Sequence, residues 1–437
     1  MRALLRSPLG VATLLGLVLA LPSQAVNDDG CEPSEDGSLW SWCGSLYVAG
    51  LYHDNAYFGS EDQPKADDGD AYRWIEPFGR VQIDRWFGDK VRASFAVGLA
   101  ATLGEDYYGV KNDITAHLML AHVAAEDIGG SGVDLTVGRQ SIVIGDGFLI
   151  GDGLYDDLVA LWTLPFSHWD AVRVDWGRGG FASTAMVAHL SDTFGPQDGV
   201  VYGVDLGWSW GDTEDAEDEP GSNVAASWFG RSDDGPSDND AEVVSVRARI
   251  PVGPVTLGGE FAREFGTIGS ADLEGTGFHA DVRWDMPFAT EPYIRGRYIS
   301  FSGDDPETVE DEGWYNWFYS PNDWGEWYIG NITGSLLLDN TDEDVIWLEG
   351  GFAPNDAWLV RLFLFDISVD TGAWLGVPDL AGERFSREAN LVADWEVRDD
   401  LFLQFGLSAA DPGPAGTAGY GGDETSYDAL FNVTWEF

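Results

Sequence analysis

Nine arginines stand at alternate positions of short segments rich in valine, alanine and tryptophan: Arg80, Arg92, Arg173, Arg247, Arg249, Arg283, Arg295, Arg297 and Arg361. A guanidinium is a permanently charged planar fork that grips a carboxylate through two parallel hydrogen bonds. Six acids share the same phase: Asp84, Glu260, Asp281, Asp285, Asp394 and Glu396. Such a set can do either of two things. Arginines on neighbouring segments form a ladder that attracts and orients acidic solutes, or they pair with these acids and brace a wall. Opposed ladders of both signs also set the field across a water-filled constriction. Four aromatics in one polar segment, Trp314, Tyr315, Trp317 and Tyr319, suit stacking on sugar rings or packing of their own loop into an enclosed space.

Covalent catalysis finds little support. A nucleophile needs a histidine within hydrogen-bond reach. His53, His117, His122, His168, His189 and His279 lie outside any serine elbow or histidine-rich metal signature. The expectation is a protein that is not an enzyme, with a barrel-embedded hydrolase as the remote alternative. Cys31 and Cys43 are the two cysteines, and in an exported chain they are expected to form a disulfide. No cofactor is expected. The acidic runs Asp212–Glu219 and Asp304–Glu312 are oxygen-rich, which suits calcium, yet neither has the spaced ligands of a calcium loop. A net charge of −52 excludes nucleic acid as a partner, because phosphate would be repelled.

The elements that must position these residues alternate with period two, the signature of strands. In 278–285, Phe278, Ala280, Val282 and Trp284 share one face, while His279, Asp281, Arg283 and Asp285 share the other. Residues 243–250 and 171–176 repeat the pattern. Eighteen such segments begin near Leu46, Arg73, Val91, Asn112, Val133, Ala171, Phe181, Val200, Ser222, Ala241, Val255, Gly275, Glu291, Asp344, Trp358, Ser386, Leu401 and Ser426. Residues 1–25 read as a signal peptide: Arg2 and Arg6, a short apolar run from Leu9 to Leu21, then Ser23-Gln24-Ala25. Beyond it no apolar run reaches the ~18 to 20 residues of a spanning helix, so any membrane crossing must use strands. A soluble β-protein is the structural rival.

Loops and aromatics favour the membrane. The longest links, 59–71, 146–170, 304–342, 371–384 and 410–425, all fall at one end of the alternating strands. The short ones, at Gly129–Gly132, Arg178–Gly180, Gly253–Pro254, Pro354–Asp356 and Arg398–Asp400, do not all sort to one parity by the sequence count. Long external loops and short periplasmic turns are the pattern of outer-membrane barrels. Aromatics at segment ends, among them Trp86, Phe87, Trp208, Trp210 and Trp435, suit interfacial girdles. The final segment keeps Tyr427, Ala429, Phe431, Val433, Trp435 and Phe437 on one face, which resembles the terminal signal read by barrel-assembly machinery.

Two stretches resemble the alginate-export family of outer-membrane porins: VGRQSIVIGDGFLIGDG, from Val137 to Gly153, and the long stretch from Arg297 to Gly334. The resemblance implies an 18-stranded barrel and passive export of an anionic polyuronate through an arginine-lined pore. It adds Arg139, from the Gly-Arg-Gln of the first stretch, to the pore-lining set. The chain departs from the family in its large acidic excess and in having three lysines, Lys65, Lys90 and Lys111. Expected, then, are a signal peptide (1–25), an N-terminal segment with the disulfide (26–45) and an all-β, up-and-down transmembrane antiparallel barrel (46–437). The barrel is expected in the outer membrane of a Gram-negative bacterium, with lipid, lipopolysaccharide, assembly machinery and a transported solute as partners. That solute is acidic or sugar-like; a porin for neutral or cationic solutes is the alternative.

Overall fold

The computed structural model describes residues 26–27, 30–31, 39–60, 63, 71–106, 112–151, 169–190, 199–211, 221–233, 239–315, 317–318, 329–334, 336–338 and 340–437. The leader, the acidic run 212–219, Lys65, Lys111, His168 and Tyr319 lie outside them. Eighteen antiparallel strands close into a ring. They are β1 (Trp40–Asp54), β2 (Ala71–Trp86), β3 (Val91–Ala101), β4 (Ile114–Ala125), β5 (Val133–Gln140) and β6 (Trp169–Arg178). Next come β7 (Phe181–Leu190), β8 (Gly199–Trp210), β9 (Ser222–Asp233), β10 (Asn239–Val252), β11 (Val255–Ile268) and β12 (Thr276–Asp285). The circuit ends with β13 (Tyr293–Phe301), β14 (Glu343–Asn355), β15 (Trp358–Val369), β16 (Arg384–Arg398), β17 (Leu401–Pro412) and β18 (Ser426–Glu436). Each expected segment corresponds to one strand. The largest displacement is in β1, which starts at Trp40 rather than near Leu46 because Trp40–Ser45 pair with Arg80–Arg85.

Antiparallel closure sends alternate links to opposite rims. The links after odd strands include 55–70, 141–168, 302–342, 370–383 and 413–425. All five short links that the sequence left unsorted follow even strands and share the other rim. One reason they are so short is visible at Gly179–Gly180, where φ values of 59° and 86° make a two-residue turn that only glycine adopts readily. The chain's first strand starts, and its last strand ends, at this short-turn rim. There Gly44 and Phe437 exchange backbone hydrogen bonds of 2.6 and 2.9 Å across the β18–β1 seam.

The outward face is apolar. Val97, Val137, Val172, Leu206, Val246 and Leu364 are each more than 40% exposed. A 12-residue strand such as β8 rises ~3.3 Å per residue. Tilted by ~40°, it spans about 30 Å, the thickness of a hydrocarbon core. Water would be a poor solvent for so continuous an apolar belt, since soluble monomers rarely expose patches beyond ~600 Å². Trp40, Phe87, Trp176, Phe181, Trp208, Trp210 and Trp284 are exposed at the short-turn rim, and Phe181 stacks on Trp208 at 5.8 Å. Outward charges near the long-loop rim pair with one another, as in Arg387–Asp366 at 2.8 Å.

The inward face has two storeys, a division that simple alternation does not reveal. Toward the long-loop rim it is largely apolar, with a few buried acids such as Glu264 and Glu388: Trp74, Trp169, Val243, Phe301, Trp347, Phe363 and Ile367 are all buried. They pack against Ile142, Ile144, Phe148, Leu149 and Ile150 of link 141–168 and Trp314, Trp317, Phe318 and Ile332 of link 302–342. These described parts of both links therefore fold into the barrel, and a parallel bridge between Ile150 and Phe318 joins them. Toward the short-turn rim the inward face is polar.

Candidate functional site in the barrel lumen

On the strands that line the cavity the polar storey begins where the apolar one stops. On β10, Ala241 and Val243 give way to Ser245, Arg247 and Arg249. On β13 the order is reversed, Arg295 and Arg297 leading to Ile299 and Phe301. Register places Arg247 opposite Glu260 of β11, Glu260 opposite His279 of β12, and Asp281 of β12 opposite Arg297. Four of the expected arginines (Arg247, Arg249, Arg295, Arg297) and two of the expected acids (Glu260, Asp281) thus line one cavity of about 470 Å³.

Small residues on the wall, among them Ala182, Gly207, Ala225 and Gly258, make room for it. Arg247 holds Asp205 through two bonds of 2.7 Å, and Ser227 donates to the same carboxylate at 2.6 Å. Arg297 lies 3.2 Å from Asp281 and 3.5 Å from Asp146, while Arg295 lies 3.5 Å from Asp281 and 4.0 Å from Glu349. Arg249 is exposed, with no ion-pair partner among the described residues.

One side of the cavity comes from link 141–168. The Ile144 N–H donates to the Ile150 carbonyl at 2.8 Å, closing a turn whose tip is Gly145-Asp146-Gly147. Both glycines have positive φ, and a Cβ on Gly145 would stand 2.9 Å from Arg247 Nε. Only glycine lets the turn approach the arginine so closely. The turn carries Asp146 to within 3.5 Å of His279 Nε2.

The other expected residues occupy separate places. Arg80 is buried and donates to Gln82 at 2.6 Å; Gln82 donates to Asp84 at 3.2 Å. Asp84 also accepts the Cys31 N–H at 2.6 Å, tying the disulfide-bonded segment to β2. Cys31 and Cys43 are bonded, with 5.5 Å between their Cα atoms. Arg92 stands 5.5 Å over the Trp86 ring. Arg173 pairs with Asp175, Arg283 with Asp285 and Arg361 with Asp394, each at 2.8 Å. Glu396 is inward and exposed near the short-turn rim.

Arg139 departs from expectation. It is the register partner of Asp170, on the phase of Val137 and Val172, which are both 46% exposed. It therefore faces outward, bonded to Asp170 at 2.9 and 2.7 Å, and does not line the pore. Residues 137–140 alternate Val-Gly-Arg-Gln, and the phase of Val137 is the signal that separates Arg139 from the lumen set.

Among the described loop aromatics, Trp314 and Trp317 pack rather than face solvent, at 4% and 2% exposed. Glu264 of β11 accepts the Tyr315 N–H at 2.8 Å and the Trp317 indole N–H. Glu388 of β16 accepts the N–H groups of Ile332 and Thr333 at 2.9 and 2.8 Å. Two wall carboxylates thus hold link 302–342 inside. The acidic run Asp304–Glu312 caps its own turns, as where Asp305 accepts the Glu307 N–H at 3.0 Å. Burial raises the carboxyl of Asp311, and likewise Asp370 in link 370–383. Asp146, Asp205, Glu264, Glu349, Glu388 and Arg231 are site residues that the sequence reading did not single out. Arg231 lies 5.0 Å from the Tyr315 ring centre.

No family model and no curated protein sequence matches the chain. Solved structures do. The outer-membrane protein OpdK of Pseudomonas aeruginosa, solved with vanillate, superposes with a TM-score of 0.58 at 11% identity, covering 91% of this chain and 98% of that one. OccAB1 of Acinetobacter baumannii gives 0.58 at 11%, covering 95% and 100%. A BenF-like porin from Pseudomonas fluorescens Pf-5 gives 0.58 at 9%, covering 91% and 98%. These neighbours are porins of Gram-negative outer membranes, and at such identities what the chain shares with them is the closed 18-stranded barrel, a fold that fits the same location.

Proposed function

We propose that this chain is an outer-membrane channel for small acidic solutes, with the Arg247–Arg249–Arg295–Arg297 belt as its selective element. One observation carries the reading: Arg249 is exposed in the cavity with no ion-pair partner among the described residues, while its neighbours are already paired. A carboxylate arriving there meets a guanidinium that need give up no existing ion pair. The vanillate in OpdK supports an acidic solute. The resemblance to alginate-export porins supports an anionic solute too, but a polymer needs a continuous path. Phe148, Trp314, Trp317 and Ile332 fill the long-loop storey among the described residues, which favours a small molecule. In this reading the long loops face the exterior and the short turns the periplasm.

The test is the reversal potential of the reconstituted protein across a salt gradient in a planar bilayer. Anion preference in the wild type, weakened by Arg249→Ala and reversed by Arg249→Glu, is the expected result. Strong cation selectivity that neither change alters would refute the reading and favour a porin for neutral or cationic solutes.

A further inference from the structure

The cavity holds a second kind of chemistry. Asp146, Glu260 and His279 each bring a donor atom to within 4.8 Å of the others. His279 Nε2 and Asp146 Oδ2 are 3.5 Å apart. That is the edge-to-edge spacing of ligands around an ion whose bonds are ~2.0–2.2 Å long. Glu260 completes the set. It is 5% exposed and makes no ion pair among the described residues; the Ser245 hydroxyl stands beside it and the Arg247 charge lies across the register. A buried carboxylate so placed is either protonated or met by a cation, and the imidazole and second carboxylate beside it suit the latter.

The nearby arginines do not supply it. Arg247 is committed to Asp205 at 2.7 Å. Arg297 keeps Asp281 at 3.2 Å even if Asp146 turns away from it. Two carboxylates and one imidazole make a donor set for a borderline divalent ion; magnesium and calcium favour oxygen alone.

We propose that Asp146, Glu260 and His279 bind a divalent transition-metal ion, which pins the Ile144–Ile150 turn to the β11–β12 wall and narrows the channel. The three ligands come from three elements, so the ion would act as a clasp between an in-folded link and the barrel. Because Glu260 and His279 are register partners, the wall half of the clasp is preformed. Small side-chain rotations, rather than backbone movement, would bring the third ligand in.

The experiment uses the full-length protein in detergent, titrated with zinc chloride in a calorimeter and with cobalt(II) by visible absorption. Expected are a single site per chain and a tetrahedral or five-coordinate cobalt spectrum. Glu260→Gln and His279→Ala should weaken zinc by on the order of tenfold or more, while Asp428→Asn, beside His53, should leave it unchanged. In planar bilayers zinc should lower the wild-type current and leave His279→Ala unaffected. Equal zinc affinity in wild type and both cluster variants would overturn the proposal, as would magnesium competing as well as zinc. Zinc bound at the cluster without any change in current would overturn the clasp. If no current is ever seen, the calorimetric comparison still decides the metal site, and the failure falls on the transport reading alone.

Discussion

Glu388→Gln is the sharpest perturbation of the in-folded link. Glu388 is 3% exposed and accepts two backbone N–H groups, at 2.9 and 2.8 Å. Hydrogen bonds to a charged acceptor contribute ~1.5–3 kcal/mol each, against ~1 for neutral partners. A glutamine can turn its oxygen toward one N–H, leaving its amide facing the other, and an unmet buried donor costs a further ~1–3 kcal/mol. Relief from burying a charge offsets part of this. A net loss of about 2 to 4 kcal/mol would raise the share of time that residues 330–334 spend away from the wall by roughly 30- to 1,000-fold. Single-channel recording should therefore show added flicker and a larger mean conductance, with limited proteolysis cutting the segment faster. Conductance, noise and cleavage rate all matching wild type would mean that Glu388 does not hold the link. Ser386→Ala, which removes one 2.9 Å contact to Thr333, should give the same changes in weaker form.

Three further outcomes follow from other parts of the molecule. Arg139→Leu should leave ion selectivity unchanged, because the residue faces outward; a selectivity shift like that of Arg249→Ala would return it to the lumen. Gly44→Val should impair closure, since a Cβ there would lie 2.6 Å from the Phe437 ring and 2.7 Å from the Arg80 carbonyl. Overpacking of this kind costs ~1–3 kcal/mol, and the expected readout is loss of the heat-modifiable, folded band on SDS gels. The pH dependence has a definite sign. Asp311 and Asp370 have raised pKa values when folded, so the folded links bind protons more readily than the open chain, and acidification stabilises them. Channel noise should fall as pH drops from neutral toward 3.8, the ordinary carboxyl value of both; noise that rises over the same range would contradict the assignment.

Much of the barrel was legible because lipid outside imposes one rule on every strand. Val244, Val246, Val282 and Trp284 had to be apolar, so the period of two survived along the whole circuit. The inward face obeys no single rule. Where it meets in-folded links it is mostly apolar, apart from acids such as Glu264 and Glu388, and stretches such as Leu362–Phe365 lose their alternation. Phase alone places nine of the ten arginines on the inward face, whereas Arg139, which belongs to a family-like motif, shares the outward phase of Val137. Asp146 escaped notice because a Gly-Asp-Gly turn reads as an ordinary loop until the fold shows which cavity it enters. Glu264 and Glu388 gave no signal either, since their partners are backbone N–H groups of a distant link.

The seam between β18 and β1 has a consequence for biogenesis. Ten residue pairs, from Tyr427–Asp54 to Glu436–Ser45, join the last strand to the first. The ring is therefore closed by strands drawn from opposite ends of its sequence, Trp40–Asp54 and Ser426–Glu436. Unpaired N–H and C=O groups in hydrocarbon cost several kcal/mol each, so a chain missing its final strand would present two open edges to lipid at once. Closure of the barrel thus depends on this single long-range pairing, and loss of the Ser426–Glu436 strand alone would open the whole ring.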